Sequence, residues 1–262
     1  MIADRDTSPP SPTGVRLLDI AIEPEVEPGT WTLSIRTVRP VTEGEASEWG
    51  SLILEAFRGL ANVGGFGPSR AGATAPCFPD PPEFTVSEER WLQWHLGRSD
   101  VPPAAYTVLV NLLEYGSLAI CEVDDVVLAA GAHDTLVDDR VRGYPARRRD
   151  VPFPLTVSGD GMAGLDIHVE FPRAPSRDEQ RGAVRALGAW LRAVLAGGFV
   201  SPTQHPGLLE SRLDDPPVSV VDNVLVLRFD ELAATPAMFD ALANMCSWIH
   251  ANVVPITGVH AD

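Results

Sequence analysis

The segment Leu165 to Phe171 reads LDIHVEF. In an extended strand successive side chains point to opposite faces, so Asp166, His168 and Glu170 share one face and Leu165, Ile167, Val169 and Phe171 the other. Two carboxylates flanking an imidazole can hold a divalent metal ion or orient a general base, because all three project to the same side. Metal-assisted hydrolysis, or related small-molecule chemistry, is the reaction class that would follow. An antiparallel sheet with one solvated face produces the same alternation without any site, and the spacing favours that expectation.

A second cluster lies between Asp138 and Asp150, DDRVRGYPARRRD, where Arg140, Arg142, Arg147, Arg148 and Arg149 crowd into ten positions of an otherwise acidic chain. Guanidinium groups in a loop can clamp phosphate or carboxylate bidentately. Pairing with the neighbouring aspartates is the commoner outcome for such a stretch. His95 and His133-Asp134 stand in an order that resembles the HD-type metal phosphohydrolases. The resemblance covers only these residues. That family sets the motif on packed helices, whereas here it follows the strand-like Val126 to Ala130 and enters a loop, so a turn is expected.

The remaining signals are weak. Val63 to Pro68 lacks the G-x-G-x-x-G spacing and the lysine of a phosphate loop, and Ser158 to Gly164 lacks the alternating oxygen ligands of a calcium loop. G-x-S-x-G and H-E-x-x-H do not occur, and Cys77 has no nearby histidine to activate it. No cofactor is expected beyond the divalent ion of the metal reading. His250, near the end of the last helix, is expected to meet the negative end of the helix dipole.

The elements that would position these residues are read from periodicity and caps. Residues 1–13, acidic and proline-rich, offer nothing to bury and are expected to be a disordered tail. Val15 to Ile22 and Trp31 to Val38 alternate as strands. A capping box at Thr42 and Glu45 opens a helix with Trp49, Leu52, Ile53, Ala56, Phe57 and Leu60 on its apolar face. A long irregular stretch, 64–82, follows. Ser87 is expected to cap a short helix holding Trp91, Trp94 and Leu96. Ala104 to Ala130 reads as apolar strands, with Tyr106 to Leu113 equally consistent with a helix, and with a hairpin formed by Leu118 to Val123 and Val126 to Ala130 around Asp124-Asp125.

In the second half, the strand Leu165 to Phe171 leads to a capping box at Ser176 and Glu179 and a helix ended by Gly197-Gly198. Strands Val218 to Val221 and Val224 to Phe229 flank Asp222-Asn223, Thr235 caps a last helix, and Val253 to Thr257 is read as a closing strand. The fold class expected is therefore α+β, an antiparallel or mixed sheet with helices packed on one face. Residues 155–262 follow the split βαβ, ferredoxin-like order, and 14–150 offer a rough echo of it, as separate halves or one continuous domain.

Composition bounds the function. The 262 residues carry 36 acids against 20 bases, a formal charge of −16, and every base is arginine. Such a surface repels phosphate backbones and anionic lipid, which argues against nucleic-acid and membrane partners, and attracts a basic protein. Three cysteines without a C-x-x-C pair argue against a disulfide framework or zinc knuckle. No apolar run approaches the roughly 18 residues of a membrane span, and the opening residues lack a secretory pattern, so cytoplasmic residence is expected. The leading expectation is a non-enzymatic protein-binding module, such as an immunity protein encoded beside a basic bacterial toxin. The alternatives are a metal-assisted enzyme on Asp166, His168 and Glu170, or a structural component of a larger assembly.

Overall fold

The computed structural model describes residues 18, 20–23, 30–67, 78, 83–87, 90–98, 104–130, 151–158, 165–199, 218–229 and 235–262. Within them the chain is α+β, with two five-stranded mixed sheets and four helices. The first half runs β1 (Ile20–Glu23), β2 (Thr30–Thr37), α1 (Glu43–Glu48), a π-helical turn (Trp49–Leu54), α2 (Glu55–Asn62), β3 (Glu83–Ser87), β4 (Trp91–Arg98), α3 (Ala104–Ala119) and β5 (Val123–Ala129). Here α1, the π-turn and α2 form one continuous helix. The second half runs β6 (Leu155–Val157), β7 (Leu165–Glu170), α4 (Arg177–Leu195), β8 (Val218–Val221), β9 (Val224–Phe229), α5 (Pro236–Asn252) and β10 (Gly258–Ala261).

The first sheet has the order β1-β5-β2-β4-β3 and the second β6-β10-β7-β9-β8. In each, the first pair is parallel and the other three are antiparallel. Period-two patterning fixes which face is inward: in β2, Trp31, Leu33, Ile35 and Thr37 are buried while Thr30, Thr32, Ser34 and Arg36 are half-buried. Both capping boxes form as the sequence implies, Thr42 with Glu45 and Ser176 with Glu179, each satisfying backbone donors that a helix start leaves orphaned.

The helices lie between the sheets. On one side Trp31 of β2 stacks on Phe57 of α2, with ring centroids 6.3 Å apart, and Phe78 closes against both. On the other, Trp190 of α4 meets Phe229 of β9 edge-on at 6.4 Å and donates its indole N–H to the Met238 carbonyl of α5 at 3.1 Å. The two helix layers meet where α2 packs on α4. Small side chains permit it: a Cβ added at Gly59 would lie 3.3 Å from that of Ala189. A single apolar cluster thus runs through both halves. Among the described residues, no helix is long and apolar enough to cross a membrane.

Several local expectations fail. Trp91, Trp94 and Leu96 do not form a helix; they lie in β4, where Leu92, Trp94 and Leu96 are buried and Trp91, Gln93 and His95 point outward. Leu92, Trp94 and Leu96 alternate at the strand period while Trp91 and Trp94 alone suggest a helical turn, and pairing with β2 and β3 decides for the strand. Ala104–Ala119 is helix throughout, so Leu118 begins no strand. Asp124-Asp125 is no turn. β5 continues through the pair with a one-residue bulge: Arg36 pairs with Asp125 and Thr37 with Val123, and the extra residue, Asp124, is held by Arg36 at 2.7 Å and Arg90 at 3.1 Å. The closing strand is Gly258–Ala261, beyond the Val253 to Thr257 stretch, and β3 was unanticipated. From the irregular stretch 64–82, Phe78 is buried, its backbone N–H and C=O both bound by the Asn62 side chain at 2.7 and 3.1 Å.

Candidate functional site

β7 is a central strand, and its outward face carries the predicted triplet. Leu165, Ile167 and Val169 are buried, while Asp166, His168 and Glu170 are half-exposed. The neighbouring strands complete a small grid. On the β9 side Asp166 lies opposite Arg228 and His168 opposite Val226; on the β10 side His168 lies opposite His260 and Glu170 opposite Gly258. Reciprocal backbone hydrogen bonds of 2.8 and 3.0 Å join Asp166 to Asp262.

The side chains disperse across this grid rather than converge. Asp166 accepts from the Arg228 guanidinium at 3.1 Å. His168 Nε2 lies 3.9 Å from Asp262 Oδ1, and His260 Nε2 lies 3.9 Å from Glu170 Oε1. Both distances are too long for a direct hydrogen bond. Each imidazole therefore leans toward a carboxylate on the opposite strand, the two aiming at opposite ends of the row. Among the described residues, no three histidines, cysteines, aspartates or glutamates are grouped so as to hold a metal ion. What the arrangement does is electrostatic: with neutral imidazoles, Asp166, Glu170 and Asp262 face one arginine, and the patch is net negative.

The outward face of the first sheet differs. Thr32 approaches His95 Nδ1 at 3.1 Å and Gln93 donates to Ser34 at 3.1 Å. Arg36 lies over the Trp91 ring at 5.4 Å, and Arg36 and Arg90 together balance Asp124 and Asp125. On this face the arginines offset Asp124 and Asp125, while Glu23 and Glu83 stand exposed on β1 and β3.

The most perturbed acids lie elsewhere, at the two helix starts. Glu45 is held at about 2 by the Arg39 guanidinium and then by the Thr42 backbone N–H, and Glu179 at about 2 by Arg173 and then by the Ser176 backbone N–H. Their work is structural, since each is the closing member of a capping box. Burial pushes the Cys246 thiol up to about 12 and raises Cys121, so neither is a nucleophile. His250 Nδ1 accepts the Ile256 backbone N–H at 2.9 Å, which makes it a clasp on the chain leaving α5 rather than only a partner for the helix dipole.

Of the other sequence candidates, His95 sits outward on β4, whereas Arg140, Arg142, Arg147, Arg148, Arg149, His133, Asp134 and Cys77 lie outside the described residues. Arg228, His260 and Asp262 were missed. The alternation of β10 and β9 carried their facing, but the register that brings them beside β7 joins residues 62 to 96 positions apart.

No protein-family model matches the chain, and no curated protein does. Among solved structures it is similar to the first half of the periplasmic protease PqqL from Escherichia coli, at 11% identity over 88% of this chain and 69% of that one, with a TM-score of 0.19. Agreement at that level carries no argument about fold or activity.

Proposed function

We propose that the protein is a non-enzymatic binding module whose acidic surface docks a basic protein partner, in the manner of an immunity or inhibitor protein neutralising a basic toxin. The observation that carries this reading is the charge, 36 acids against 20 arginines. The uncancelled negative patch around Asp166, Glu170 and Asp262 supports it locally. Complementary charge would chiefly raise the association rate and discriminate against acidic partners, nucleic acid and anionic membrane among them.

The scaffold for this role is read as ferredoxin-like in its second half. The run β7-α4-β8-β9-α5-β10 in the spatial order β10-β7-β9-β8, with β6 added at the edge, supports that assignment. The first half is read as a divergent copy.

A pull-down from an extract of the source organism, followed by association kinetics on the retained protein, tests the function. A basic partner is expected, with an association rate falling about tenfold or more between low and physiological salt. A retained set without a basic protein, or a rate indifferent to salt, rules the reading out.

A further inference from the structure

Contacts in the first half recur in the second at a nearly constant distance along the chain. Arg173, Ser176 and Glu179 stand 134 positions after Arg39, Thr42 and Glu45. Each arginine grips its glutamate with both terminal nitrogens, and each also donates at 3.2 Å to the carbonyl of the residue that follows it, Pro40 or Ala174. The inward residues Leu33, Ile35 and Thr37 of β2 map at the same offset to Ile167, Val169 and Phe171.

After the first helix the offset becomes 133. Gly64-Gly65-Phe66 recurs as Gly197-Gly198-Phe199, the first glycine of each at positive φ, 71° and 79°. Asn111 of α3 donates to the Gly198 carbonyl at 3.0 Å, and Asn244 of α5, 133 positions on, donates to that of Gly65 at 3.2 Å. Tyr115 crowds Gly197 as its counterpart Trp248 crowds Gly64. The Val123 N–H is accepted by Ser117 at 3.0 Å and the equivalent Ile256 N–H by His250 at 2.9 Å.

These contacts are reciprocal: α3 of the first half holds the glycine turn of the second, and α5 of the second holds that of the first. Reciprocity of this kind is the mark of an isologous interface, the geometry of a two-fold dimer. The offset changes within the helix, between Glu45 and Gly64, and there the first half has its π-turn. Across that turn Trp49 is buried, Gly50 half-buried, Ser51 and Leu52 exposed, and Ile53 and Leu54 buried; in α4 the corresponding run, Ala183 to Leu187, has a single exposed residue, Arg185. A π-turn accommodates one surplus residue without disturbing the helix on either side.

We infer that the chain is two copies of one unit, β1 to β5 and β6 to β10, fused head to tail and packed on each other through a self-complementary helical surface, and that the π-turn is a one-residue insertion carried by the first copy alone. The surface built from the helices and the glycine turn of each copy has the other copy as its occupant. Positions that the fold constrains, namely cores, caps and the interface, then correspond between copies. The outward faces do not: the cross-strand pair Ser34 with Val127 becomes His168 with His260.

The test uses the full chain and two single-residue deletions. Removing Ser51 takes out the surplus residue and is expected to leave a cooperative transition with a midpoint within about 5 °C of the parent. Removing Arg185 from the regular helix α4 breaks the register between a cap and a glycine turn that have no spare residue, and is expected to lower the midpoint by about 15 °C or more, or to abolish folding. Equal losses from both deletions, or failure of the Ser51 deletion to fold, would overturn the inference.

Discussion

Glu45 and Glu179 set the acid response at the scale of single residues. With folded values of about 2 against an ordinary 4.5, both are ionised in the native state well below the pH at which they protonate in the unfolded chain. Their contribution is complete above about pH 4.5 and is lost as pH falls through about 2. The Glu45→Gln, Glu179→Gln double variant is expected to melt lower at neutral pH, and its melting temperature to change less than the parent's between pH 4.5 and 2 in a thermal scan. Metal binding gives a second residue-level expectation: titrated calorimetrically with manganese or nickel, the parent and His168→Ala are expected to bind equally weakly, because Asp166 is engaged by Arg228 and no third ligand stands close among the described residues. Tight binding lost in the variant would put the metal reading ahead of the protein-binding one. Alternation alone showed which residues of DIHVE face outward. It could not show that Asp166 meets an arginine and His168 a second histidine, since those partners arrive through strand register.

At the scale of elements, local chemistry was legible wherever a backbone group needs a specific side chain. Both capping boxes, the Thr235 cap and the Gly197-Gly198 stop were readable for that reason. β4 and α3 were not, because runs such as WLQWHL and YTVLVNLL satisfy either period and only sheet pairing or helix packing decides. The repeat was on view in Gly-Gly-Phe and in Arg-x-x-Thr/Ser-x-x-Glu, but offsets of 133 and 134 defeat a search at one fixed period. Two glycines separate space from backbone strain. In α4, a Cβ at Gly188 meets nothing within 4 Å, so Gly188→Ala is expected to stabilise by about 0.5–1 kcal/mol through lower chain entropy in the unfolded state. At Gly197 the positive φ and the Tyr115 ring, 2.0 Å from an added Cβ, oppose the same change, and Gly197→Ala is expected to cost about 2 kcal/mol or more. Chemical denaturation measures both.

For the whole molecule, charge is the quantity with the widest reach. A net −16 on 262 residues disfavours the compact state through self-repulsion, and salt screens it over about 8–10 Å at physiological strength. The melting temperature is therefore expected to rise as sodium chloride is added from about 0.01 to 0.15 M. A fall would mean that local ion pairs such as Arg36 with Asp124 outweigh the net repulsion.

The position of β10 has a consequence in time. The first sheet has all its strands once residue 129 is made, whereas the second keeps a gap between β6 and β7 until Gly258–Ala261 arrives. During synthesis at about 5–20 residues per second, the first copy can close while the second waits with two strand edges unpaired. For those seconds the glycine turn and helices of the finished copy are the surface on which the unfinished one can rest.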